Sequence, residues 1–166
     1  MQKNSYPLEQ LTLIKKKRLE ESERALQEKR LLLEKEEAKF LEVEQDRNAV
    51  KLHKDTKLQQ LREELDQETT TTKIQQMKVY LKVVDEKLKQ KEIKLQEQKK
   101  LLDAAKKAVD DARQDMLKRR QEVEKMQLHR EEWDKEQKKL LEHKESLESD
   151  EIGTVIHLSK KGKNLS

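Results

Sequence analysis

The sequence predicts an all-α protein: a long two-helix antiparallel coiled-coil hairpin followed by a flexible C-terminal tail. Three observations carry that expectation. First, an unbroken heptad series runs from Ile74 through Leu81, Leu88, Leu95, Leu102, Val109 and Met116 to Val123. A second series three residues ahead reads Met77, Val84, Lys91, Gln98, Ala105, Ala112, Arg119, Met126, Trp133, Leu140 and Leu147, and the two form an a/d seam. Second, 45% of the 166 residues are charged and 2% aromatic, with two glycines and one proline, which suits a long helix and leaves too little apolar mass for a compact core. Third, the seam breaks once, in a threonine-rich run ahead of Ile74.

The elements follow in chain order. Pro7 marks the start of a first helix, about residues 7–67, because its fixed φ and missing N–H are tolerated in a first turn; Ser5 or Tyr6 would be the cap. Along this helix the apolar positions drift, from Leu11, Ala25 and Leu32 to Leu19, Leu26, Leu33 and Phe40, then Val43 and Val50, and finally Leu58, Leu61 and Leu65. A turn at about 68–73 falls in Asp66 to Thr72, where hydroxyls compete for the backbone, and Thr72 with Gln75 has capping-box spacing. No glycine closes the first helix, so one uninterrupted helix is the alternative. The second helix then covers about 74–148, completing a hairpin over 1–148.

Side-chain volume sets the expected pairing. Large residues face small ones when partner numbers add to about 145, with Phe40 against Ala105 and Leu33 against Ala112. The same register puts Leu26 beside Arg119 and Lys54 beside Lys91, two poor layers. Helices of this length give a hairpin on the order of 90–110 Å. Residues 149–166 read as the mobile tail, with a strand-like patch at Thr154 to Leu158 before a basic end.

Composition also excludes function classes. Cysteine is absent, so there are no disulfides or thiolate metal sites, and no apolar run spans a membrane. The first residues, Met1 to Pro7, lack a secretory pattern, which makes a cytoplasmic location the expectation. The net charge of +4 is a small surplus in a nearly balanced polyampholyte, so no nucleic-acid partner is implied. His129 and His143 share a helix face but stand about 21 Å apart by rise, too far to hold one metal. With no phosphate loop, nucleophile elbow or zinc motif, the chain is expected to be no enzyme, with no catalytic, cofactor-binding or metal residues.

What remains is apolar surface lying off the seam. Past the turn, Val79 and Val83 stand four apart on the outer face with Tyr80 beside them; Tyr80 either joins that patch or closes over Leu65. Near the termini, Tyr6 and Leu13, the run Lys15, Lys16, Lys17 and Arg18, and Leu141 are the contact candidates, while Leu8, Leu11, Trp133 and Leu140 are expected to cover one another.

The segment Tyr6-Pro7-Leu8-Glu9-Gln10-Leu11, followed by Ile14-Lys15 and Arg18-Leu19-Glu20-Glu21, resembles the start of the YscO-type stalk proteins of bacterial type III secretion, relatives of flagellar FliJ, and in particular a chlamydial member of that group. The resemblance implies a central stalk in a virulence-associated export system. Its open end, with Tyr6, Leu13, Lys15 to Arg18 and Leu141, would enter the hexameric secretion ATPase; its tip, with Val79, Tyr80 and Val83, would meet the cytoplasmic ring of the export gate. Export chaperones and the needle-length regulator are further implied partners, and the implied location is cytoplasmic, peripheral to the inner-membrane base of the apparatus. From the residues alone, a self-assembling parallel coiled-coil scaffold and a chaperone-like or polyanion-binding coiled coil stand as alternatives.

Overall fold

A computed structural model describes residues 4–164; residues 1–3 and 165–166, the outer ends of the expected hairpin and tail, lie outside the described residues. Two helices account for nearly all of it, α1 (Glu9–Asp66) and α2 (Thr71–Lys163), packed against each other without strands. The uninterrupted-helix alternative is therefore excluded. Helix α1 opens as expected just after Pro7, where the Glu9 N–H donates to the Tyr6 carbonyl at 3.2 Å and Glu9 supplies the acidic first turn.

The turn forms earlier than the threonine–glutamine spacing suggested. Thr70, and not Thr72, caps α2: the Lys73 N–H lies 3.4 Å from the Thr70 hydroxyl and 3.1 Å from its carbonyl. Thr70 leads because the chain needs only residues 67–70 to reverse, and no described residue there adopts a positive φ. A glycine is thus dispensable at this reversal, which removes the objection that none is present.

Burial along α2 follows the heptads. From Ile74 to Gln137 every a and d position is buried or half-buried except Arg130, with Val84, Leu88, Leu102 and Val123 the most enclosed. The expected drift along α1 is largely absent, with Leu58 its one covered off-register apolar residue. Most of its covered positions keep one heptad register, namely Thr12, Leu19, Leu26, Leu33, Phe40, Arg47, Lys54 and Leu61, with Lys15, Ser22, Glu36, Val43, Val50, Lys57 and Glu64 between them, while Glu9, Glu44 and Leu58 are half-buried beside it. Leu11, Leu32 and Leu65 are left exposed. Polar side chains at seam positions hold the register where hydrophobicity alone falls off it.

The chain clusters into two compact units, Ser22–Met116 around the turn and Met1–Glu21 with Leu117–Ser166 at the termini. In the turn unit, Lys54 Nζ meets Asp85 Oδ1 at 2.6 Å, Lys73 meets Glu64 at 3.1 Å, Lys91 meets Asp46 at 3.9 Å, and the Gln98 amide donates to the Glu36 carboxylate. In the terminal unit, Lys15 meets Glu122 at 3.3 Å and Arg130 meets Glu9 at 2.8 Å. In each unit the partner numbers add to about 138, one heptad less than volume matching gave. This corrects the register. Leu33 now lies level with Ala105 and Leu26 with Ala112, so large still faces small, while Lys54 finds a carboxylate where the other register offered Lys91. Volume is nearly degenerate under a one-heptad slip; charge is not.

The C-terminal end is a second correction. The expected strand-like patch is helical, since α2 continues through Gly153 to Lys163 with Lys160, Lys161 and Lys163 in its last turn, where cations offset the carbonyl end of the helix dipole. One glycine costs a helix only about 1 kcal/mol and does not stop it. Past Gln137 every described residue is exposed, including Leu140 and Leu147, which the heptads had assigned to the seam. Gln137, the last covered position of α2, is met by the Asn4 amide at 3.5 Å.

Two outcomes test this packing. Cysteines replacing Leu33 and Ala105 should cross-link efficiently within one chain, whereas the pair Phe40→Cys with Ala105→Cys should not; mass spectrometry of the monomer band reads the yield. The Lys54 hydrogen bond and charge hold the Asp85 carboxyl below its ordinary value, and the same bond raises Lys54. The pair should therefore stabilise from the ordinary carboxylate range upward and be lost as pH falls through the depressed Asp85 value. Thermal unfolding of Asp85→Asn should lie below the parent near neutral pH and converge with it in acid.

Candidate interaction surfaces

Among the described residues no three His, Asp or Glu side chains are grouped so as to hold a metal ion. No described helix is long and apolar enough to cross a membrane. The functional question is thus which surfaces are left uncovered after the helices pair, and the two units answer it separately.

In the turn unit, Val79 and Val83 are about 60% exposed, at one helical turn's spacing on the face of α2 away from α1. With Thr72, Gln75, Gln76 and Tyr80 they line a shallow apolar groove of about 410 Å³. Tyr80 forms its wall and also lines a second depression of about 290 Å³ with Lys57, Gln60, Lys73, Gln76, Met77 and Leu81. Its hydroxyl lies 2.8 Å from His53 Nε2, and the Lys57 ammonium stands 5.7 Å from its ring centroid. Tyr80 thus shares the groove with Val79 and Val83. It is fixed by His53 rather than by Leu65, yet keeps 45% of its surface open, so it offers a positioned aromatic ring between two depressions.

In the terminal unit the candidate residues divide. Leu13 is 56% exposed, Leu141 is open, and Lys16, Lys17 and Arg18 all point into solvent. Tyr6 does not belong with them. It is 5% exposed, its hydroxyl lies 2.6 Å from His129 Nδ1, its ring meets Trp133 edge-on with centroids 5.5 Å apart, and the Arg130 guanidinium stands over it at 5.7 Å. Tyr6 is an internal clasp, because an aromatic with a polar tip is the side chain that can cover Trp133 and still satisfy a histidine. Lys15 is likewise drawn inward, half-buried against Glu122. The expected mutual cover of Leu8, Leu11 and Leu140 is also incomplete: these are 36%, 40% and 61% exposed, and only Trp133 is half-buried.

Sequence reasoning missed the His129 and His53 roles and the uncovered apolar turns of distal α2. The i, i+3, i+4 spacing of Ile152, Val155 and Ile156 was the available signal, masked by β-branching that also reads as strand.

The clasp predicts a local effect. Tyr6→Ala should lower the stability of the terminal unit by about 3 kcal/mol, as for other buried aromatic truncations. Hydrogen exchange should then quicken in residues 9–21 and 117–133 while protection around Val84 and Leu88 is retained.

Comparison with known proteins gives a consistent picture. The sequence profile of the YscO-like protein family matches residues 3–163. A solved structure described as that of a YscO homologue from Chlamydia trachomatis is similar to this chain at 43% identity and a TM-score of 0.91, covering 97% of this chain and 99% of the other. No curated protein sequence matches significantly.

Proposed function

The chain belongs to the YscO-like family of type III secretion-related coiled-coil proteins, and from that premise we propose that it is the non-enzymatic central stalk of a type III secretion ATPase complex. In this reading the terminal unit engages the ATPase hexamer, using Leu13, Lys16, Lys17, Arg18 and Leu141. Tyr6 and Lys15 act indirectly, by fixing the helices that carry those residues. The turn unit engages the cytoplasmic ring of the export gate through Val79, Tyr80 and Val83. Export chaperones and the needle-length regulator are the further partners proposed, and the site of action is the cytoplasmic side of the inner-membrane base of the apparatus.

The observation that carries the reading is the pairing of family membership over nearly the whole chain with open apolar and basic surface beside the termini and beside the turn. A protein without chemistry of its own acts by binding states of its partners unequally, so a stalk between an ATPase and a gate would bias both through differential contact. The scaffold alternative loses support because α1 already occupies the α2 seam that a parallel dimer would need. The polyanion alternative loses support because basic side chains along the helices are interleaved with carboxylates and several are paired to them.

Two measurements test the proposal. The purified chain should bind its cognate secretion ATPase and raise ATP hydrolysis, and reversing charge at Lys16, Lys17 and Arg18 should weaken binding severalfold without loss of helicity by circular dichroism; absence of binding by the parent chain would dismiss the stalk reading. Val79→Ser with Val83→Ser should leave the melting temperature within a few degrees, since both side chains are already open, and abolish capture by the isolated cytoplasmic ring of the gate.

A further inference from the structure

Roughly the last five turns of α2 carry an ordered pattern that neither the seam nor the proposed stalk contacts use. Ile152, Val155 and Ile156, at i, i+3 and i+4, make an apolar turn whose members are 61%, 65% and 49% exposed. Glu148 and Glu145 lie one and two turns before it, and Lys160 and Lys163 lie one and two turns after it. Gly153 sits within the apolar turn, and a side-chain carbon added there would meet no atom within 4 Å. All residues from Lys138 to Asn164 are exposed.

Read along the helix the order is acidic, apolar, basic. A partner strip that complements it must run basic, apolar, acidic, and the same helix turned end for end is such a strip. We propose that a second copy of this chain docks here, α2 on α2, antiparallel about a two-fold axis near Gly153 and Thr154. Ile152 of each copy then lies level with Ile156 of the other, and the carboxylates of Glu145 and Glu148 face the basic last turn of the other chain. Such a contact is isologous: one self-complementary patch used twice, as closed dimers require. A parallel arrangement would instead set like charges side by side at both ends.

The contact centre lies beyond Leu141, so it is separable from the ring-binding residues proposed above, and its test needs no ATPase. Sedimentation equilibrium of the full chain should show mass rising with concentration from one copy toward two. Ile152→Asp should weaken association by at least about tenfold, with α1 and the seam unaltered by circular dichroism. Glu145→Lys with Glu148→Lys should remain monomeric alone, as should Lys160→Glu with Lys163→Glu, while an equimolar mixture of these two variants should form a heterodimer. Cysteine in place of Val155, which lies on the apolar face beside the two-fold axis, should give a symmetric disulfide dimer, since the native chain has no cysteine. Three results would each overturn the proposal: a parent chain that stays monomeric at every concentration, a dimer indifferent to these substitutions, or a mixture of the charge variants that fails to associate. Flotation of a monomeric parent chain with anionic phospholipid vesicles would overturn it in favour of a lipid surface.

Discussion

One chain has to supply both halves of its own seam, and every other feature follows from how that is met. Helix α2 presents a nearly continuous apolar column, but α1 answers with a column in which threonine, serine, lysine, glutamate and arginine alternate with leucine. Apolar burial therefore brings the helices together without deciding where along each other they stop. The decision falls to charges at the margin of the seam. Lys54 with Asp85, Lys91 with Asp46 and Lys15 with Glu122 agree on one register, and a slip by a heptad would oppose two lysines at the position where a lysine and an aspartate now meet. Surface ion pairs add little stability individually. Their weight here lies in discrimination between two alignments that are otherwise almost equal.

The existence, type and order of both helices were legible in the sequence, and so was the column on α2, because eight heptads with apolar residues leave one face to bury. The place of the turn was legible to within three residues; the choice of Thr70 over Thr72 as cap depends on where the backbone finishes reversing, which spacing does not encode. The register was not legible from volume. Alanines at 105 and 112 recur at the heptad interval, so Leu33 finds an alanine in either alignment and two large–small layers form in both. The helix continues through 149–163 against expectation because Val155 and Ile156 suit a strand within the pentapeptide Thr154 to Leu158 but join Ile152 in a helical stripe when α2 is extended.

Of the candidate contact residues, the exposed ones were identifiable because they fall off the heptad positions: Val79, Val83, Leu13 and Leu141 are all open. Tyr6 was not, since a residue ahead of a helix has no period to place it. Its partner His129 likewise falls outside the columns. A tyrosine before the first turn and a histidine at the far end of the chain acquire meaning only when antiparallel pairing sets them side by side.

The polar layer formed by Glu36 and Gln98 also governs how the turn unit would carry force. An all-apolar seam is smooth, and neighbouring helices under axial load can creep past one another while remaining wet on the outside and greasy within. Here, sliding would tear the Gln98 amide from its carboxylate partner and drag both groups across leucine before any new partner came within reach. The layer acts as a detent. A pull applied to one helix is handed to the other without lost motion.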